Sequence, residues 1–161
     1  MSKAKKLALK AAKDARGGGH FLPIPLAVLR SPELAGLSPY AAKLLWDIAS
    51  QWRLGQNGDA NAAFEKVMRS RGWRSKATLN KAIKELLESG LIVRTRQGSL
   101  HQCSLYALGW LAIDECSGKL DIRPTCRPLR NWAEKNSLPS TPGEPKRLIA
   151  AGLGTPRVPD G

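Results

Sequence analysis

Residues 72–96 constrain this chain most, because they read as an amphipathic helix that runs, across a single glycine, into a basic strand. Ser75 stands where an N-cap is needed, and Leu79, Ala82, Ile83, Leu86 and Leu87 then recur at intervals of three and four. That spacing predicts one apolar stripe on a helix of residues 76–89. Gly90 follows as a stop, since glycine takes the left-handed conformation that closes a helix. Lys76, Ala77, Asn80, Lys81, Lys84 and Glu88 are left for the outward face. After the stop, Leu91-Ile-Val-Arg-Thr-Arg96 reads as a strand and Gln97-Gly-Ser99 as a turn. Residues 101–108 return as a second strand.

The helix needs a partner for its stripe, and the preceding residues supply candidates. Ser38 and Pro39 pair an N-cap with proline at the first helical position, where its missing N–H costs nothing. Ala41, Leu44, Leu45, Ile48 and Trp52 follow at helical spacing, which predicts a helix of about 14 residues. Before it, residues 21–29 are apolar, with Pro23 and Pro25 excluding a regular helix at the start and a short helical turn expected from about Leu26. Gly55-Gln-Asn-Gly58 is a turn. Asn61 is positioned to cap a second helix from Ala62 to about Ser70, with Phe64, Val67 and Met68 buried. Two helices separated by about four residues containing Gly72 fit a helix-turn-helix. With the hairpin behind it, the predicted fold class is α+β, a winged helix-turn-helix of three helices plus a β-hairpin wing over residues 20–116.

Both flanks differ in composition. Residues 1–19 carry six Lys or Arg against Asp14 and end in three glycines, which predicts a flexible basic N-terminal arm. Residues 117–161 form a C-terminal extension that holds seven of the 11 prolines; a Pro-rich tail, largely flexible, is expected after about residue 136. The formal net charge is +13, and residues 66–96 contain nine basic side chains opposed only by Glu85 and Glu88. A field of that density points to a polyanion, nucleic acid before membrane.

The run from Gly72-Trp-Arg-Ser-Lys-Ala-Thr-Leu-Asn-Lys to Gly-Leu-Ile-Val-Arg-Thr-Arg96 resembles the winged helix-turn-helix proteins of bacterial phages and mobile elements. So do Leu-Ser-Pro-Tyr-Ala-Ala-Lys-Leu-Leu, Gly-Gln-Asn-Gly-Asp and the aromatic exit Leu105-Tyr-Ala-Leu-Gly-Trp110. The resemblance covers roughly residues 20–116, with weak extension to Trp132. It implies that the 75–89 helix enters the major groove of double-stranded DNA. Asn80 is then the candidate for reading an adenine edge, since an amide pairs bidentately there. Arg74, Lys76 and Lys81 reach phosphates or guanine edges, and Lys84 lies on the same face. Ser75 is occupied as the cap, and Thr78 touches phosphate or supports the turn. Arg94 and Arg96 are expected on one face of the strand, with Gln97 and Ser99 extending it, for contact with backbone or minor groove.

Other chemistries fit poorly. Trp46, Trp52 and Trp73 are expected in core or rim packing rather than stacked on single strands, and Trp110 and Trp132 either pack the extension on the domain or line a homodimer interface. His101, Cys103, Cys116 and Cys126 lack the spacing of a zinc site, and three cysteines form no disulfide framework. No nucleophile has an evident base, and Gly118-Lys-Leu120 is no phosphate loop, so neither an enzyme nor a cofactor or small-molecule substrate is expected. No apolar run approaches the roughly 18 residues of a membrane span, and residues 7–9 are too short for a signal peptide. A cytoplasmic, nucleoid-associated protein is the expectation. Three roles remain: a transcriptional regulator of a mobile element, a plasmid or phage replication-initiation or maintenance factor, and a protein-interaction module that antagonises a host system.

Overall fold

The structure, a computed structural model, describes residues 2–15 and 19–134, the side chain of Glu134 excepted. The glycines at 17 and 18 and the proline-rich residues from 135 onward lie outside the described residues.

Residues 2–15, the first part of the expected basic arm, form a helix α1 (Lys3–Asp14) capped by the Ser2 hydroxyl on the Lys5 N–H. Alanine and lysine favour the helix locally, yet it buries no side chain, so nothing from the core stabilises it. The lead-in then runs extended to two single-turn helices, α2 (Leu26–Leu29) and α3 (Pro32–Ala35). The second has its own Ser-Pro start, Ser31 accepting from the Leu34 N–H.

Helix α4 (Pro39–Ala49) begins at the expected Ser38 cap but ends three residues before Trp52, with Gln51 and Trp52 following in a turn. Ala41, Leu44, Leu45 and Ile48 are fully buried on its inner face. Trp46 falls off that stripe and is 49% exposed, against the expectation of core or rim packing. Helix α5 (Lys76–Ser89) has the predicted length, cap and stop: Ser75 accepts from the Thr78 N–H, and Gly90 is left-handed at φ 76°. Leu79, Ala82 and Leu86 are buried and interlock with α4.

Between α4 and α5 the chain departs from the reading. Asn61 lies in a two-residue strand β1 (Ala60–Asn61), and its side chain accepts from the Ala63 N–H only. The expected second helix is a π-turn, Phe64–Met68, continued by a 3₁₀ turn, Arg69–Arg71. The buried set agrees in part: Met68 is fully buried, while Phe64 and Val67 are half-buried. The short segment must leave strand β1 and reach the Gly72 turn, so the wide turn places Met68 inward without a full helix.

Strands β2 (Ile92–Arg96) and β3 (Leu105–Leu108) pair antiparallel, and β1 adds to the far side of β3, in the order β1-β3-β2. The architecture is thus α+β: several helices against a small three-stranded antiparallel sheet. One core joins Leu44, Leu45, Ile48, Leu86, Leu91, Ile92 and Leu108.

Residues 113–133 return over the domain. The Asp121 N–H donates to the Thr95 carbonyl, Thr125 N–H to Ile113, and Arg130 N–H to Gly109. Trp110 and Trp132 are buried in the common core, so both tryptophans pack the extension onto the domain. At the centre of this closure Asn57, only 3% exposed, uses its amide on the backbone of Leu108, Leu111 and Ala112. Among the described residues no helix is long and apolar enough to cross a membrane.

Candidate nucleic-acid interface

The start of α5 is fixed from below. Asp47, buried on α4, accepts from the Trp73 indole N–H at 2.7 Å and the Lys43 ammonium at 2.6 Å, and its second oxygen meets Arg71 at 3.4 Å. Burial pushes the Asp47 carboxyl up, but the hydrogen bonds from Lys43 and Trp73 and the charges of Lys43 and Arg71 outweigh it, so the group stays ionised below its ordinary range. Trp73 therefore anchors the turn, and Arg74 and Ser75 leave it on the outside. A second tie joins the two helices. Glu85 on α5 accepts from both the backbone N–H (2.6 Å) and the hydroxyl (2.7 Å) of Ser38, the α4 cap. Those bonds, the backbone one first, hold its carboxyl below the usual range.

On the surface so oriented, Lys76, Asn80, Lys81 and Lys84 are exposed along α5, and Arg74 is exposed just before it. Thr78 is half-buried; with Tyr40, Lys43, Trp73, Arg74 and Ser75 it lines a groove of about 380 Å³ at the turn. Further along, Asn80, Lys84 and Glu88 face Arg94, Ser104 and Tyr106 of the hairpin across a groove of about 480 Å³. Helix α5 and strand β2 thus present Asn80, Lys84 and Arg94 together.

Not every cation is available. Glu65, one residue outside the basic run, bridges Arg69 (2.7 Å) and Lys76 (3.0 Å), and the Lys76 hydrogen bond chiefly holds its carboxyl below the usual range. Arg71 is committed to Asp47, and Lys84 lies 3.8 Å from Glu88. Among the described residues Lys66, Arg74, Lys81, Arg94 and Arg96 make no ion pair.

The hairpin corrects two expectations. Arg94 pairs with Tyr106 and Arg96 with Leu105, with Thr95 as the extra residue of a β-bulge. Tyr106 and Leu105 are neighbours on β3 and point to opposite faces, so the two arginines cannot share one face. Arg94 stays exposed, bonded to Gln97 at 2.9 Å. Arg96 instead bends to the Cys103 carbonyl at 3.0 and 3.2 Å. Thr95 is fully buried, its hydroxyl donating to the Gly58 carbonyl, which is what the bulge secures. The turn is also displaced. Ser99 and Gln102 exchange backbone bonds, so Leu100 and His101 form the tip, and Leu100 is 92% exposed. Gln97 and Ser99 are exposed on the ascending side, and the Gln97 N–H is held by Asp121 of the extension.

Sequence reading passed over Tyr40 and Lys43 beside the turn. Their spacing of three on the polar side of α4 was visible, but only the fold brings them to Trp73, with the Lys43 ammonium 5.1 Å from its ring centre. Cys103 and Cys126 are exposed and Cys116 is buried, its thiol pushed up by that burial. Among the described residues no three of His, Cys, Asp and Glu converge as a metal site. No protein-family model, curated protein or solved structure matches the chain.

Proposed function

We propose that the chain is a sequence-specific double-stranded-DNA-binding protein of the winged helix-turn-helix type, a transcriptional regulator of a mobile genetic element that acts as a homodimer. The observation that carries the reading is the exposed face on which Asn80, Lys81 and Lys84 of α5 stand between Arg74 and Arg94. A helix of 10–12 Å diameter fits a major groove about 12 Å wide. Asn80 then meets a base edge, while Arg74, Lys81 and Lys84 fall along the flanking phosphates. The hairpin takes the place of the wing, with Arg94 turned toward the same groove and Leu100 and His101 at its tip.

The cations that lack a carboxylate partner favour a polyanion over a protein surface, because a protein partner needs no such excess. With about six phosphates neutralised, log K falls with log salt at a slope near −5. Selection from random duplex DNA by the full chain tests the reading. Enrichment of one motif, repeated as a palindrome at dimer spacing, is the expected result. Tandem copies of the motif would indicate an origin-binding role, and no enrichment would refute specific DNA binding.

A further inference from the structure

The hairpin is braced beyond the end of its ladder. Strand pairing stops at Arg96 and Leu105, yet the two arms stay tied through residues 97–104. The Arg96 guanidinium donates across the gap to the Cys103 carbonyl, and the Gly98 N–H donates to the Ser104 hydroxyl at 2.9 Å. The arms approach so closely that a Cβ on Gly98 would stand 2.8 Å from that hydroxyl oxygen and 2.9 Å from the Ser104 nitrogen. Ser99 and Gln102 then exchange two backbone bonds, at 2.8 and 3.3 Å. At the base, Asp121 accepts from the Gln97 N–H, and the buried Thr95 hydroxyl donates to the Gly58 carbonyl.

At the apex of this brace stands Leu100, 92% exposed, more than any other large apolar side chain among the described residues. On a loose loop a lone apolar side chain in water is ordinary. On a cross-tied apex it is held out, without the freedom to fold back on its neighbours. Residues 97–104 contain no Asp or Glu, so the tip itself carries nothing that repels phosphates. Its reach is also defined. Arg94 faces Asn80 and Lys84 of α5, and Leu100 follows six residues later, up to about 20 Å away at about 3.3 Å per residue. With α5 in a major groove, the adjacent minor groove lies about half a helical turn, or ~17 Å, along the duplex.

We infer that Leu100 is a wedge: the hairpin crosses one phosphate backbone, and its tip drives Leu100 between two base pairs from the adjacent minor groove, bending the duplex. This rests on the DNA-binding reading and adds to it a deformation that the α5 contacts do not require. Apolar side chains placed in the minor groove unstack a base step and kink DNA by about 20–90° toward the major groove. An arginine at the apex would sense the potential of the groove; a leucine has only the stacked bases to displace. Unstacking is costly, and a slack loop would yield before the base step did, which gives the cross-ties their purpose. A TA or CA step, the most easily unstacked, is the expected point of entry.

The test uses the full chain on the duplex that it selects from random DNA. Fluorescence transfer between the duplex ends reads the bend, and 2-aminopurine placed in turn at the steps flanking the motif reads unstacking. The expected result is a bend of about 20–90°, with a fluorescence gain confined to one step beside each copy of the motif. Leu100→Ala changes a side chain that packs on almost nothing, so it should fold and select the same motif, yet lose the bend and most of the gain. Leu100→Met, still apolar and long, should keep both. A parent that binds without bending, an equal bend in Leu100→Ala, or a bend lost in Leu100→Met as well would overturn the inference and leave the DNA-binding reading standing. A tip made for a membrane or another protein would give the first or second of these results. A chain that selects no motif would instead refute the reading, and this inference with it.

Discussion

Replacing Asp47 with alanine should destabilise the fold by about 2–4 kcal/mol, and the size follows from which partners lose what. Trp73 is 4% exposed, so its indole N–H would lose its acceptor at 2.7 Å in a place that water does not reach, costing about 1–3 kcal/mol. The Lys43 and Arg71 side chains are 43% and 34% exposed and can turn to solvent, so each of their pairings adds at most about 1 kcal/mol. Asp47→Asn keeps an oxygen for Trp73 and drops the charge, with an expected loss of about 1–2 kcal/mol. Guanidinium denaturation followed by circular dichroism measures both. Equal losses in the two variants would refute the assignment of the larger share to the Trp73 bond, and losses under about 0.5 kcal/mol in both would refute the anchor itself. The pH dependence has a definite sign. The Asp47 carboxyl lies below its ordinary value in the folded chain, so its contribution is complete above the unfolded pKa of about 3.9 and disappears as pH falls through the folded one. The parent should therefore lose stability below about pH 4 more steeply than Asp47→Asn.

Gly90→Ala and Gly72→Ala differ in a way that separates conformation from space. Both residues are left-handed, at φ 76° and 85°, but a Cβ at 72 meets nothing within 4 Å while one at 90 strikes the Asn131 and Trp132 backbone. Thermal unfolding should show a loss of about 1–2 kcal/mol at 72 and a clearly larger one at 90; equal losses would contradict the packing of the extension against α5. Thr95→Val keeps the shape but leaves the buried Gly58 carbonyl without its donor, for about 1–3 kcal/mol by the same measurement, and an unchanged midpoint would deny the bulge its role. Removing residues 1–19 should leave the unfolding midpoint unchanged, because α1 buries nothing, and should lower DNA affinity and salt slope without altering site preference. A changed preference in selection would mean that the arm reads a groove.

Local signals that need only the sequence were read well: the Ser38-Pro39 start, the α5 stripe, the Ser75 cap and the Gly90 stop. They depend on spacing within one element. What was missed depends on contacts across elements. Strand β1 is two residues long and exists only because β3 offers an edge. The Thr95 bulge forms because its hydroxyl finds Gly58, 37 residues earlier, and no alternation pattern encodes that bond. Counting charge from residue 66 omitted Glu65, whose carboxylate takes up Arg69 and Lys76, and the i,i+4 spacing of Glu65 and Arg69 was the available hint. For the candidate site, the exposure of Arg74, Asn80, Lys81 and Lys84 agrees with the helical reading, whereas Arg94 and Arg96 part because of the bulge.

The proposed base-reading role of Asn80 is tested most directly by comparing Asn80→Ala with the parent on a selected duplex site and on a scrambled duplex at the same salt concentration. Asn80 is exposed, and among the described residues its side chain makes no hydrogen bond or ion pair, so folding should be untouched. The account predicts a loss of about 1–3 kcal/mol on the selected site and almost none on the scrambled one. Equal affinity of variant and parent for the selected site would contradict it.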